Sequence, residues 1–438
     1  MVLTAKQKEA LDQSILGYLL AQGEAMAPVA AALRTSLGLA EDAVPDTKYK
    51  TLLEKKWTSV VRLQRKTMDL EARCAKLQSD LDRFGGAARL LKANSKNNSF
   101  PKAPAKYNLT GHRDAITSVA LHPKFSLCAS ASEDSTVKVW DFESGEFEQT
   151  LKGHTNTVQC VAFDLQGKYL ASCSADLSIK LWLVETFQCA KTLTGHDHNI
   201  SCVTFTPSGD HLLSCSRDTN IKVWEVSSGF CVKTISGHTQ WVRHIEISPR
   251  GNVYASCSDE QVVKLWNSTS GENTMTLYGH EHVVHEVKFS NTTAADEAIE
   301  DYVAEKNGEK PPRRKKKTAG AGGSKEGEAQ EREGGKYMAS CSRDKTIRIW
   351  SVVTGDEVMT LKGHDNWVRS ISFHSSGAYL LSASEDRSVR VWDLRNARCV
   401  HSVADAHKHF VTALAMHPKL PVVVTGGVDS AVNIWECS

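Results

Sequence analysis

The sequence lacks the features that mark several broad classes of protein. Its 438 residues contain no apolar run that approaches the roughly 18–20 residues needed to cross a bilayer, so membrane insertion is not expected. The 12 cysteines include no Cys-x-x-Cys pair, which argues against a zinc site and a disulfide scaffold and favours a reducing cytosol. The net charge of +2 lacks the basic excess of a dedicated nucleic-acid binder. The first residues also lack the apolar core of a signal peptide.

The chain has instead an internal repeat of about 42 residues. Gly-His pairs open six units and Ala406-His407 opens a seventh. The histidines are His112, His154, His196, His238, His280, His364 and His407. A tryptophan follows each after 28 residues, except in the fifth unit, where the interval is 70. The fifth unit therefore carries an insertion of 42 residues.

Each unit also carries Ser or Thr ten residues before its Trp and, except in unit four, Asp six residues before it. Two of these tetrads are His112, Ser130, Asp134, Trp140 and His364, Ser382, Asp386, Trp392; in the fourth unit Glu260 replaces the Asp. An indole N–H can donate to a hydroxyl, the hydroxyl to an imidazole, and the imidazole to a carboxylate. The same residue types form the Ser-His-Asp catalytic triad, but seven evenly spaced copies favour a structural network. No metal site is expected in these tetrads.

Short alternating apolar segments between these marks are typical of strands. The pattern resembles the WD-repeat β-propeller, with four strands per blade. The predicted fold is an all-β, seven-bladed WD-repeat propeller over residues 106–438, with an α-helical LisH motif and a short coiled coil before it. The segment 106–110 is expected to complete the last blade.

The insertion, at roughly residues 291–335, is rich in Gly, Glu and Lys, and we expect it to be disordered. Its basic run at 313–317 fits a solvated loop better than a nuclear-localisation or nucleic-acid patch.

Residues 1–40 resemble the LisH dimerisation motif. Their apolar stripe and the glycine that follows it are Leu11, Ile15, Tyr18, Leu19 and Gly23. The chain departs from the motif at Glu24, where the family prefers an aromatic residue. An unrelated helical hairpin is the alternative.

A linker over 41–51 leads to a predicted parallel coiled coil over 52–84, in which Leu63, Leu70 and Leu77 occupy heptad position d. A single helix is the alternative for this short segment. Residues 85–105 are expected to form a flexible tether.

The differences between units point to a binding surface. Trp241 and Trp367 stand three residues after a repeat histidine, and Arg243 and Arg369 follow them. Further arginines flank the Asp turns of units three, five and six: Arg217, Arg343 and Arg387. These loops and turns are expected to share one end of the propeller, where they would present a basic, aromatic surface to an acidic partner. The alternative is that the rings pack between blades and the arginines form ordinary ion pairs.

The order of these segments resembles the lissencephaly protein family, called nuclear distribution proteins in fungi. The stretches that carry the resemblance are 52–60 and Gly363-His364-Asp365-Asn366-Trp367-Val368-Arg369. The family implies a dimeric, non-catalytic regulator of cytoplasmic dynein, without a cofactor, that promotes minus-end-directed transport, nuclear migration and spindle positioning.

The resemblance also implies particular residues, partners and places. The family's dynein-binding positions match Arg217, Arg243, Arg343, Trp367 and Arg387. Implied partners are the motor domain of the dynein heavy chain, a second copy of the chain and a nuclear-distribution E type coiled-coil scaffold, with microtubules contacted indirectly. Implied locations are the cytoplasm and cytoskeleton, at microtubule plus ends and spindle poles. Two other functions stay open: substrate receptor of a ubiquitin ligase, and regulatory subunit of a lipid acetylhydrolase.

Overall fold

A computed structural model describes residues 100–308 and 334–437, together with Ile15, residues 31–33 and Thr35. Those N-terminal residues are helical. The other LisH positions and the whole predicted coiled coil lie outside the described residues. No helix in the described part of the chain is both long and apolar enough to span a membrane.

Seven four-stranded antiparallel sheets form a closed ring, as the repeat predicts. The strands of blades 1 to 3 are β2 Ile116–Leu121, β3 Leu127–Ser132, β4 Val137–Asp141, β5 Phe147–Leu151, β6 Val158–Phe163, β7 Tyr169–Ser174, β8 Ser178–Leu183, β9 Cys189–Thr194, β10 Ile200–Phe205, β11 His211–Ser216, β12 Ile221–Glu225 and β13 Cys231–Ile235. Those of blades 4 to 6 are β14 Val242–Ile247, β15 Val253–Ser258, β16 Val263–Asn267, β17 Asn273–Leu277, β18 Val284–Phe289, β19 Tyr337–Ser342, β20 Thr346–Ser351, β21 Glu357–Lys362, β22 Val368–Phe373, β23 Tyr379–Ser384, β24 Val389–Asp393 and β25 Arg398–Val403.

The last blade joins the two ends of the described chain. It combines β26 Val411–Met416, β27 Val422–Gly427 and β28 Ala431–Glu436 with β1 Tyr107–Thr110. Strand β1 pairs antiparallel with β28, and Asn108 Nδ2 donates to Asn433 Oδ1 at 2.6 Å. The predicted closing strand is therefore confirmed, and it covers an edge that would otherwise be open to another chain.

The hydrophobic core is divided among the contacts between neighbouring blades. Trp182 of blade 2, for example, packs on Ala129 and Val137 of blade 1, and Trp224 of blade 3 packs on Ile179 of blade 2. The tetrad tryptophans are almost wholly buried. Each repeat thus completes the core of the preceding one, which is why the units are stable only as a ring.

The insertion is partly helical, so the prediction of disorder across 291–335 is wrong for its first part. A helix spans Thr293–Lys306, and the Thr292 side chain caps it by accepting from Ala295 N. Ala298 and Ile299 are fully buried in a cluster with residues of blades 5 and 6. The low apolar content of the insertion led to the wrong prediction, because blades 5 and 6 supply most of the apolar surface against which the helix packs. Residues 309–333 lie outside the described residues.

Two polar contacts tie the insertion to blade 5. Ser290 Oγ donates to Asp296 Oδ1 at 2.5 Å and accepts from Gly335 N at 2.8 Å. Because the insertion follows the end of β18 and precedes β19, it lies at one end of the ring. The seven repeat histidines precede the innermost strands at the other end, here called the Gly-His face.

Candidate functional site

Every repeat histidine of the Gly-His face sits in a hydrogen-bonded tetrad. In blade 1, Trp140 Nε1 donates to Ser130 Oγ at 2.9 Å, and Ser130 Oγ lies 2.8 Å from His112 Nε2. The other ring nitrogen, His112 Nδ1, lies 2.8 Å from Asp134 Oδ2. Because the carboxylate only accepts, Nδ1 carries the proton and Nε2 accepts from the serine. The blade 6 tetrad, His364, Ser382, Asp386 and Trp392, has the same contacts at 2.7 and 2.8 Å.

Glu260 completes the tetrad of blade 4 despite its longer side chain. Its Oε1 lies 2.9 Å from His238 Nδ1 and also accepts from Thr239 N at 2.6 Å. The pKa of His238 is lowered to about 4, because burial disfavours the charged imidazole more than Glu260 favours it. A neutral histidine suits the network, since Nε2 must stay free to accept. These contacts are consistent with a structural role for all seven tetrads.

Two four-residue modules stand beside these tetrads. The first Arg–Trp module is Arg217, Trp241, Arg243 and Asp259; the second is Arg343, Trp367, Arg369 and Glu385. Each member of the second module lies 126 residues after its counterpart, which places it two blades further around the ring. Each module combines an arginine from the Asp turn of one blade with the first residues and the Asp turn of the next blade.

In the first module, the guanidinium carbons of Arg217 and Arg243 lie 4.6 and 5.3 Å from the centroid of the Trp241 ring. These are cation–π distances. Arg243 is also neutralised by a bidentate pair with Asp259, at 2.5 and 2.9 Å. Trp241 remains 40% exposed. Burial and the nearby Arg243 lower the pKa of Arg217, which still carries its charge at neutral pH.

The second module repeats this chemistry. Arg343 and Arg369 lie 4.2 and 5.4 Å from the Trp367 ring centroid, and Arg369 Nε donates to Glu385 Oε1 at 2.6 Å. His285 of blade 5 joins the two arginines: Arg343 Nε donates to His285 Nε2 at 3.0 Å. Burial, then Arg369 and Arg343, hold the pKa of His285 well below its usual value, so His285 is a neutral acceptor.

Each module carries a net positive charge, because it contains two arginines and one carboxylate. Asp259 and Glu385 neutralise one arginine in each module, whereas Arg217 and Arg343 have no ion pair within residues 100–308 and 334–437. An indole ring holds each of these two guanidinium groups in a fixed plane, which prepares it for bidentate contact with a carboxylate. Acidic groups of a partner are the ligands that this surface fits.

Arg387 stands apart from the two stacks. It lies in the Asp turn of blade 6 on the same face, has a left-handed backbone (φ 66°) and is exposed. Its partner is Asp405, at 3.3 Å, in a solvent-exposed ion pair of little energetic weight. The structure thus groups six of the seven predicted residues into modules and leaves Arg387 outside them, in the same turn of blade 6 as Glu385.

Sequence reasoning missed Asp259, Glu385 and His285 as members of this surface. In the sequence, Asp259 is notable only because it directly precedes Glu260, the residue at the tetrad position of unit four. The signal that could have found Asp259 and Glu385 is the common spacing of 126 residues, which relates four pairs of positions; His285 has no counterpart at this spacing. The alternative prediction is correct in part, because Arg243 and Arg369 do form ion pairs. Within the described residues, no group of three His, Cys, Asp or Glu side chains could hold a metal ion.

Comparison with known proteins identifies the repeat and the family. The model of the WD domain, G-beta repeat, matches residues 104–141, 145–182, 187–225, 229–267, 333–351, 355–393 and 397–436. The Lissencephaly-1 homolog of Heterostelium pallidum is 58% identical over 437 residues, which cover all of both chains. The chain belongs to the Lissencephaly-1 family.

Two more relatives extend this family across organisms. The Lissencephaly-1 homolog of Dictyostelium discoideum is 57% identical over the full length of both chains. The Nuclear distribution protein PAC1 of Ajellomyces capsulatus is 45% identical over 95% of this chain and 88% of its own. The family resemblance inferred from the motifs is therefore confirmed.

Proposed function

We propose that the protein is a non-catalytic regulator of cytoplasmic dynein that binds the dynein motor domain through its Gly-His face. The observation that carries the proposal is the pair of Arg–Trp modules, which place Arg217 and Arg343 on indole rings without a neutralising partner among the described residues. The names of the fungal relatives, nuclear distribution proteins, support a role in nuclear migration.

The residues of this surface have different roles in the proposed binding. Trp241 and Trp367 provide apolar area that loses water on binding, and aromatic anchors of this kind dominate binding energy. Arg217 and Arg343 pair with acidic side chains of the motor. Arg387 adds charge at the edge and acts mainly on the association rate, because exposed pairs contribute little affinity.

The remaining assignments rest on the family and on the sequence of the N-terminal part. We infer a homodimer formed through residues 1–84, and a coiled-coil scaffold of the nuclear-distribution E type as a second partner. Dimerisation raises the effective concentration of the second propeller once the first has bound. The proposed location is the cytoplasmic cytoskeleton, including microtubule plus ends and spindle poles.

Affinity capture from cell extract tests this function against its alternatives. The tagged full-length chain is expected to retain dynein heavy chain. A cullin adaptor captured without dynein would instead identify a ubiquitin-ligase receptor, and a small hydrolase subunit would identify the acetylhydrolase role. Loss of the dynein signal with Trp367→Ala, but not with Arg250→Ala, would assign the interaction to the Gly-His face, because Arg250 is exposed in the β14–β15 turn at the other end.

A further inference from the structure

The inner walls of blades 2 and 3 bring four cysteines together. Cys160 of β6 and Cys202 of β10 occupy the same repeat position, and their sulfur atoms lie 3.7 Å apart. Each also faces a second cysteine across its own sheet: Cys160 is opposite Cys173, and Cys202 is opposite Cys215. The dynein proposal uses none of these thiols.

Cys160 and Cys202 differ from the other two in their access to small molecules. Both line a cavity of about 300 Å³ in the centre of the ring, which Arg217 and Arg243 also line. Cys160 is half-buried and Cys202 is 2% exposed, whereas Cys173 and Cys215, on the second strands of their blades, are fully buried. A reagent that enters the cavity therefore meets Cys160 first.

The geometry of this pair suits a covalent link. A disulfide requires a sulfur–sulfur distance of about 2.05 Å, so the two sulfurs must close by roughly 1.6 Å. The contacts of the two thiols with backbone carbonyls are long, for example 3.8 Å from Cys160 Sγ to Val203 O and 3.7 Å from Cys202 Sγ to Val203 O, so they oppose this movement only weakly.

The two thiols are also chemically unequal. Hydrogen bonds with Cys173 and Cys202 lower the pKa of Cys160 well below the usual thiol value, against the effect of burial. The hydrogen bond with Cys160 raises the pKa of Cys202. Nearby, the Nδ1 atom of His244 is buried and has no hydrogen-bond partner among the described residues. Cys160 is thus the better nucleophile of the pair.

We propose that Cys160 and Cys202 form a site of reversible oxidation, at which hydrogen peroxide converts the two thiols into a disulfide joining blades 2 and 3. The Cys160 thiolate attacks one peroxide oxygen, the O–O bond breaks, and the released hydroxide takes up a proton to become water. Cys202 then attacks the sulfenic sulfur of Cys160, the S–O bond breaks, and a second water leaves. Two thiols lose two electrons, and the peroxide gains them.

The test uses the full chain with its other accessible thiols removed. Cys189, Cys231 and Cys399 are exposed, and Cys74 lies in the N-terminal part; all four are replaced by Ser. This protein is treated with hydrogen peroxide, alkylated, digested and analysed by mass spectrometry. We expect a linked peptide pair containing Cys160 and Cys202, an intact mass lower by two hydrogen atoms, and full reversal by dithiothreitol.

Single substitutions then assign the order of events. Cys202→Ser should leave a sulfenic acid on Cys160 that dimedone traps, whereas Cys215→Ser, the matched control, should still form the Cys160–Cys202 link. The proposal is overturned if Cys160 pairs mainly with Cys173, or if both cavity thiols remain reduced at a peroxide dose that oxidises the exposed Cys231 of the wild type.

Discussion

Each tetrad histidine must be neutral to accept from a hydroxyl on one nitrogen while it donates to a carboxylate from the other. Burial enforces this state at His112, His154 and His238, whose pKa values all lie below the usual 6.5. The pKa values of the carboxylate partners are lowered as well, but here the shift runs against the effect of burial. Burial alone would raise the pKa of Asp134, but hydrogen bonds from Thr136, Arg113 N and His112 lower it to about 2.

These shifts predict how stability depends on pH at a single residue. The pKa of His238 is about 4 in the folded chain and about 6.5 when unfolded, so the unfolded state binds more protons between these values. The contribution of His238 is therefore complete above pH 6.5 and falls as the pH drops towards 4, by a total on the order of 3 kcal/mol. Urea unfolding of wild type and His238→Gln at several pH values measures it. The variant should be less stable than wild type at pH 7, but its free energy of unfolding should fall less as the pH drops. If the free energies of unfolding of both proteins changed equally with pH, the low pKa assigned to His238 would be contradicted.

The sequence alone predicts where these residues lie, but not all of the contacts that their side chains make. Constant spacing predicted every tetrad, because a repeated constraint leaves the same residue types at the same positions. It also placed Arg217 and Trp241 on one face. It could not show that Asp259 neutralises Arg243 while Arg217 has no ion pair within the described residues, since that depends on side-chain directions across the boundary between two blades.

At the scale of secondary-structure elements, the insertion helix Thr293–Lys306 is where prediction failed. Its sequence TAADEAIEDYVAEK has few large apolar residues, and an isolated helix of this length is marginal in water. The helix forms because Ala295, Ala298 and Ile299 fill a gap beside blade 6. Tertiary contacts of this kind are absent from a local reading of composition. The strands, in contrast, followed directly from their alternating pattern.

The buried face of this helix gives a second prediction. Ile299→Ala should lower the free energy of unfolding by about 2–4 kcal/mol, because Ile299 is completely buried and its removal leaves a cavity. Glu305→Ala, on the exposed side of the same helix, should change it by less than about 0.5 kcal/mol. Chemical denaturation monitored by tryptophan fluorescence measures both. Equal effects of the two substitutions would show that the helix does not pack on the propeller.

At the scale of the whole molecule, the sequence predicts a dimer formed by its N-terminal part. Tyr18→Asp would place a charge in the apolar stripe of Leu11, Ile15 and Leu19, so the variant is expected to be monomeric in light scattering at low micromolar concentration. The matched control is Tyr49→Asp, in the predicted linker, which should remain dimeric. If Tyr18→Asp remained dimeric, as Tyr49→Asp is expected to, the proposed role of this stripe in dimerisation would be contradicted.

The ring itself makes the binding surface a property of the whole propeller. Each module needs two adjacent blades, and a step of two blades relates the two modules, so the packing of blades 3 to 6 sets the distance between them. A partner with two suitably spaced acidic sites can contact both modules at once. We therefore expect the modules to act together in binding.

The most direct test of the proposed binding surface is a titration of purified dynein motor domain against the full-length chain and its variants. Trp367→Ala and the double variant Arg217→Ala/Arg343→Ala should each weaken binding at least about tenfold, because truncation of an interface anchor typically costs about 2 kcal/mol. The effect of the double variant should shrink as salt rises, since it acts through charge. Arg250→Ala, on the opposite face, should bind like wild type. Unchanged affinity of both Gly-His-face variants, with their melting curves intact, would contradict the proposed surface.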